Sequence, residues 1–203
     1  MLTRRRILEA MGACVFSPAM TEGPFFVDEG LNRSDVTAGA THAAVTEGAP
    51  LLLEVAVVGA RSGCAPLAGV RVDIWHADAN GDYSDVGAQR GRQFLRGYQV
   101  TDASGKVAFR TIYPGWYPGR AVHIHIKARK NGATFHFSEF TSQLFFDDGV
   151  NEKVMAQAPY NTRGTRFVRN ARDGIFRGRS AIVVELVPEA KGYLGKATLG
   201  LDA

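Results

Sequence analysis

Apolar and polar residues alternate with period two along much of the chain, the spacing that places every second side chain on one face of a strand. Val70-Arg71-Val72-Asp73-Ile74-Trp75 shows this most clearly, and Leu51 to Val58 is a nearly continuous β-prone apolar run. Further strands are expected over Phe94 to Val100, Lys106 to Ile112, Ala121 to Ala128, Thr134 to Phe146 and Ala181 to Val187. Asp102-Ala103-Ser104-Gly105 has the composition of a hairpin turn. Only Asn151 to Ala158 reads as briefly helical. Short strands punctuated by Gly, Pro and Asp predict an all-β fold, a single-domain antiparallel β-sandwich with long loops and little helix.

A length of 203 residues suits one well-filled core. We read residues 21–203 as that domain and 1–20 as an N-terminal segment. No apolar run is long enough to span a bilayer, so no membrane partner is expected. The net charge of +4 is mild. Arg163, Arg166, Arg169, Arg172, Arg177 and Arg179 lie among Gly, Asn, Thr and Asp without a sustained apolar stripe, which describes a solvated basic loop rather than a nucleic-acid surface. Cys14 and Cys64 are too few for a disulfide framework; they pair in an oxidising compartment or stay buried thiols in a reducing one. Thr3-Arg4-Arg5-Arg6-Ile7-Leu8 is similar to a twin-arginine export signal, but Glu9, Gly12 and Pro18 interrupt the apolar segment, and Ser17-Pro18-Ala19 is a poor cleavage site. The expectation is a vestigial or truncated signal, with a cytoplasmic location slightly favoured over export through a twin-arginine signal.

His123-Ile124-His125 is where the pattern begins to carry chemistry. On a strand, residues i and i+2 share a face, so both imidazoles could bind one metal ion. Two polar residues on an exposed face would look the same. Ile124 and Ile126 point the other way, which puts the core on their side and the histidines facing away from it. Just upstream, Tyr113-Pro114-Gly115-Trp116-Tyr117-Pro118-Gly119-Arg120 has two Pro-Gly turns around an aromatic pair, a sharp bend able to hold a tyrosine beside that strand. Asn80-Gly81-Asp82-Tyr83-Ser84 follows the Val70 strand and presents a second tyrosine. Asp78 to Asp82 opens like a calcium loop, but Tyr83 and Gln89 stand where that motif needs glycine and a bidentate glutamate.

Taken together, these segments resemble the intradiol ring-cleavage dioxygenases, from Thr21 to about Val187. Thr21-Glu22-Gly23-Pro24-Phe25-Phe26, Val72 to His76 with Gly81 to Ser84, Phe94 to Gly97 with Thr101-Asp102, Arg110 to Tyr117, and Arg120 to His125 match the family's segments in order. The resemblance implies a ferric ion held by Tyr83, Tyr117, His123 and His125, and intradiol cleavage of a catechol-type ring with O2 to a cis,cis-muconate-type product. In that scheme Tyr117 is an axial ligand that the substrate displaces and that then takes up a substrate proton. Tyr83 and His125 are equatorial, and His123 is axial. Arg120 matches the family's active-site arginine, against the plainer reading of a surface arginine paired with a carboxylate. Gln143 matches a glutamine near the same site. Pro24, Phe25 and Trp116 are candidate substrate contacts. His42, His76 and His136 have no ligand-like surroundings and read as structural.

Tyr117 and His123 are only six positions apart, where catechol and protocatechuate dioxygenases carry longer insertions. The helical dimerisation region of catechol dioxygenases is also missing. Both features resemble a compact branch of the family with a more open pocket, and they leave homo-oligomer formation open. The rival is a non-catalytic module: Ala65 to Val70 with Thr101 to Val107 also resembles transthyretin-type and carboxypeptidase-regulatory-type sandwiches. Such a module has no use for the Tyr83, Tyr117, His123 and His125 set. A cupin or a copper-zinc superoxide dismutase would share the His-x-His. A cupin, however, needs a glutamate just beyond it, where this chain has Lys127, Ala128 and Arg129.

Overall fold

The computed structural model describes residues 15–38, 47–130 and 138–203. The Arg4-Arg5-Arg6 segment, Cys14, His42, His136 and the first part of the strand expected from Thr134 lie outside these residues. Among the described residues the fold is two packed sheets with one short helix, α1 (Asp148–Met155).

One sheet is built on β1 (Pro50–Gly59). Its alternation buries Leu51, Leu53, Val55 and Val57 on one face. Along one edge it pairs antiparallel with β2 (Ala65–Pro66) and β5 (Lys106–Ile112), and along the other it runs parallel to β10 (Tyr193–Leu201), which continues to β9 (Glu185–Pro188). The second sheet has the order β4 (Arg96–Val100), β3 (Arg71–Trp75), β6 (His123–Arg129), β7 (Glu139–Phe145), β8 (Ile182–Val183). The main core fills the space between the sheets, with Ile74, Ile124, Ile126 and Leu144 meeting Leu53, Val55 and Phe109. Among the described residues, no helix is long and apolar enough to cross a membrane. Cys64 is disulfide-bonded.

The expected sandwich is therefore present, but its sheets are mixed rather than purely antiparallel, because β10 lies parallel to β1 and β8 parallel to β7. The Asp102 to Gly105 turn is tight: the Asp102 carboxylate accepts from the Ser104 and Lys106 amides at 2.9 Å each. It does not close a hairpin, however, since β4 and β5 belong to different sheets. The single strand expected over Ala181 to Val187 is two short ones in separate sheets, because the chain breaks at Val184, whose side chain turns into the core.

The N-terminal boundary also differs from the expected one. Ser17 and Met20 already hydrogen-bond to Gly200 and Thr141 at 2.9 Å, and Met20 is buried against Ala121 and Phe145. From here a strap without regular structure crosses the outer face of the second sheet. Buried or bridging charges pin it. Lys127 pairs with Glu22, and Asp28 receives Arg71 at 2.7 Å and Arg129 at 2.6 Å. These guanidiniums, the Arg129 bond foremost, hold the Asp28 carboxyl down at about 2, against the partial burial that raises it. A depressed carboxylate stabilises the fold above its unfolded value near 3.8 and loses that contribution as pH falls through about 2. The melting temperature should therefore fall more steeply between pH 4 and pH 2 in wild type than in Asp28→Asn; parallel curves would uncouple this carboxylate from stability.

Candidate metal centre

Two loops and one strand build the site. After β3 the chain folds back on itself, with the Asp78 carboxylate accepting from the Asn80 and Asp82 amides at 2.9 and 3.0 Å. This turn sends Tyr83 inward. The Tyr113 to Arg120 loop lies directly against the turn, and the Gly115 amide donates to the Asp78 carbonyl at 3.1 Å. A Cβ on Gly115 would sit 2.1 Å from that carbonyl oxygen, so the contact requires glycine. It leaves the Tyr83 and Tyr117 rings edge to face, with centroids 5.7 Å apart.

β6 supplies the imidazoles, with ring centroids 4.6 Å apart and their Nε2 atoms at 3.0 Å. His123 Nδ1 lies 2.6 Å from the Ala121 carbonyl, which can only accept. The ring proton is therefore on Nδ1, and a lone pair on Nε2 faces the cluster. The Tyr117 hydroxyl donates to that lone pair at 3.2 Å. The Trp75 indole stacks on His125 at 4.9 Å and 8°, which fixes its ring plane. The Tyr83 ring centroid is 6.1 Å from that of His125.

The histidine face, expected to lie away from the core, is buried: His123 is 2% and His125 1% exposed. The strap provides the cover, passing so close that a Cβ on Gly23 would lie 3.3 Å from His125 Cε1. Burial pushes the His123 imidazole down to about 3, assisted by the Arg120 charge, and holds His125 well below the ordinary range, with His123 adding to it. Burial also raises both phenols, Tyr83 the more strongly. At neutral pH the imidazoles are thus neutral donors, and the phenols keep their protons unless a cation displaces them. Among the described residues, the Tyr83 hydroxyl and His125 Nδ1 are buried without a hydrogen-bond partner. No three His, Cys, Asp or Glu side chains cluster there either, so half of this donor set is phenolic. Hard phenolate oxygen with imidazole nitrogen fits a ferric ion.

Arg120 is indeed paired with a carboxylate, but in the interior. Its Nε donates to Asp173 at 2.9 Å, its Nη2 donates to Gln143 Oε1, and its Nη1 comes within 3.5 Å of His123 Nε2. Gln143 lies opposite His125 in the β6–β7 register and anchors the strap by donating to the Thr21 carbonyl at 3.0 Å. Asp173 was missed in the sequence. It also accepts the Ala121 and Ile175 amides at 2.7 Å each, and its one available signal was being the lone acid within the arginine series. His76 is structural, with both ring nitrogens bonded, to Ala77 and Thr111.

A cavity of about 310 Å3 opens beside the tyrosines, lined among others by Phe25, Tyr83, Val86, Gln89 and Tyr117. Phe25 stacks on Tyr83 with centroids 4.5 Å apart. Trp116 is not in this lining. It packs into the main core with the Arg163 guanidinium over its ring, because the Tyr117 backbone turns the two neighbouring side chains in opposite directions. Pro24 is exposed and outside the lining as well.

Comparison with known proteins places this geometry in context. A family model described as Dioxygenase matches residues 21–163. The chain is 33% identical over 151 residues to a chlorocatechol 1,2-dioxygenase from Pseudomonas sp. (strain P51), covering 65% of this chain and 56% of that protein. It is also 33% identical over 161 residues to catechol 1,2-dioxygenase 1 from Acinetobacter lwoffii, covering 65% of this chain and 49% of that one. The chain thus spans about half the length of these relatives. Among solved structures, an intradiol ring-cleavage dioxygenase from Tetranychus urticae superposes with a TM-score of 0.80 at 31% identity, covering 93% of this chain and 95% of that chain.

Proposed function

This chain belongs to the intradiol ring-cleavage dioxygenase family, and from that premise we propose that it opens a catechol-type ring between its two hydroxyl-bearing carbons, incorporating both atoms of O2. Tyr83, Tyr117, His123 and His125 would hold ferric iron. Bound there, the ion would supply a Lewis acid able to accept the two catechol oxygens and make the ring reactive towards O2. What supports the reading is the gathering of two phenols and two neutral imidazoles in one buried cluster, with the Tyr117 hydroxyl and His125 Nε2 both within 3.2 Å of His123 Nε2 and the Tyr83 ring against Tyr117 and His125.

The two tyrosines differ in setting, which supports giving them different roles. Tyr83 is almost fully enclosed and stays in place. Both line the cavity, but Tyr117 is only partly buried and is the more accessible to a substrate, so its phenolate oxygen takes up one catechol hydroxyl proton. The Arg120 guanidinium, held by Asp173 and Gln143, is a fixed positive charge beside His123 for negative charge developing on the ring. Phe25 gives the ring an apolar wall and keeps water from the Tyr83 phenol.

The test is to load the protein with ferric iron, record its visible spectrum and follow O2 uptake with catechol, protocatechuate, hydroxyquinol and chlorinated catechols. A red-brown tyrosinate charge-transfer band that shifts with anaerobic catechol, together with O2 uptake, is expected. A colourless protein that binds catechols without consuming O2 would point instead to a binding module.

A further inference from the structure

We propose that Arg96 is a positioning residue for the metal centre, a buried guanidinium that fixes Tyr83 and Phe25 relative to one another; the inference rests on the function proposed above. Arg96 opens β4 and is 3% exposed, yet it does not line the cavity. Its Nε donates to Ser84 Oγ at 2.6 Å, and its Nη2 donates to the Ser84 carbonyl. Its Nη1 reaches the Phe25 and Val27 carbonyls at 3.4 Å each. Glu29, also buried, supplies the opposite charge at 3.6 Å. Ser84 in turn donates to the Phe94 carbonyl at 2.6 Å, so three separate stretches of chain meet at one guanidinium.

Two of those stretches end in the rings that matter. Ser84 adjoins the Tyr83 ligand, and the carbonyl of Phe25 belongs to the residue whose ring stacks on Tyr83. A planar fork with five donors can bind both stretches at once, which a single ammonium on a flexible stem cannot. The backbone supplies an independent observation. Among the described residues only three non-glycine residues have positive φ, and two of them flank this contact: Asp85 at 56°, next to Ser84, and Leu95 at 51°, next to Arg96. Such conformations persist only where surrounding bonds over-determine them, and they gather where geometry serves function. Packing alone does not call for a buried cation here, since an apolar side chain would fill the space without desolvating a charge.

Full-length protein loaded with ferric iron, as wild type, Arg96→Lys and Ser84→Ala, tests this through three readouts: the position of the visible tyrosinate band, the separate kcat and KM for catechol, and the melting temperature. Arg96→Lys is expected to displace the band and lower kcat by roughly ten- to a hundredfold, the usual scale for residues supporting a metal ligand. Ser84→Ala should move both readouts in the same direction by less. If both variants keep the wild-type band and kcat while only the melting temperature falls, Arg96 is a packing residue and the inference is overturned. Should Arg96→Lys fail to fold, Ser84→Ala decides by the same criterion. A wild type with neither band nor O2 uptake would overturn the proposed function and this inference with it, whereas a normal wild type with unmoved variants overturns this inference alone.

Discussion

Tyr117→Phe is expected to lower turnover of the iron-loaded protein by roughly 10²- to 10⁴-fold, the range that a positioned acid–base group contributes. The substitution removes one oxygen atom and leaves the ring in place against Phe25, Tyr83 and His123. The stability change should therefore be small, about 1 kcal/mol for the lost hydrogen bond to His123. Loss of a phenolate donor should also alter the visible band. Stopped-flow spectra and O2-uptake rates on the same preparation separate these effects. Wild-type turnover in the variant would remove Tyr117 from both its roles, while an unfolded variant would contradict the small stability change.

Asp173→Ala should be the most destabilising single substitution near the site. The Asp173 side chain is fully buried, and its two oxygens serve Arg120 and the Ala121 and Ile175 amides. Alanine leaves a guanidinium without its counter-charge and two amides without acceptors. Stripping one partner from a buried pair costs about 3–5 kcal/mol, and the slight exposure of Arg120 argues for about 3. Activity should also fall, because a guanidinium freed to shift by about an ångström can cost on the order of a hundredfold. Asp173→Asn keeps an acceptor oxygen and loses the charge, so it should lie between wild type and alanine. Urea unfolding and steady-state kinetics on both variants check the order. An alanine variant as stable as wild type would mean that the Arg120–Asp173 pair contributes nothing to holding the loop before β6 against the Asp173 segment.

The contrast between what could and could not be read from the sequence follows from the range of each interaction. Strands β1, β3 and β5 were legible because period-two burial is a local pattern, whereas the helix expected over Asn151 to Ala158 begins three residues earlier, at Asp148, where the Asp147 side chain caps it. The two tyrosines and two histidines were legible because short motifs carry them. β10 was not. Its sequence, Tyr-Leu-Gly-Lys-Ala-Thr-Leu-Gly-Leu, mixes glycines with weak alternation, and its strand character comes from pairing with β1 across more than 130 residues. The burial of the His123 and His125 face could not be read either, since its cover is a strap with no periodicity, held by ion pairs distant in sequence. The contacts of Asp173 and Arg96 escaped for the same reason: each acts on residues more than 10 positions away, and although Arg96 lies in the Phe94 to Gly97 segment, nothing there shows that its side chain reaches Ser84. Trp116, which the sequence left between substrate contact and core, lies in the core and outside the cavity lining.

The parallel placement of β10 between β1 and β9 bears on how the molecule comes into being. β1 gains its neighbour on one flank from residues 193–201, so that sheet is incomplete until those residues dock. Until residues 193–201 dock, Leu51, Leu53, Val55 and Val57 sit beside an open edge, and such edges invite pairing with other chains. Long-range parallel pairing also makes assembly slow for a domain of this size. Docking of residues 193–201 onto β1 therefore closes that hydrophobic edge.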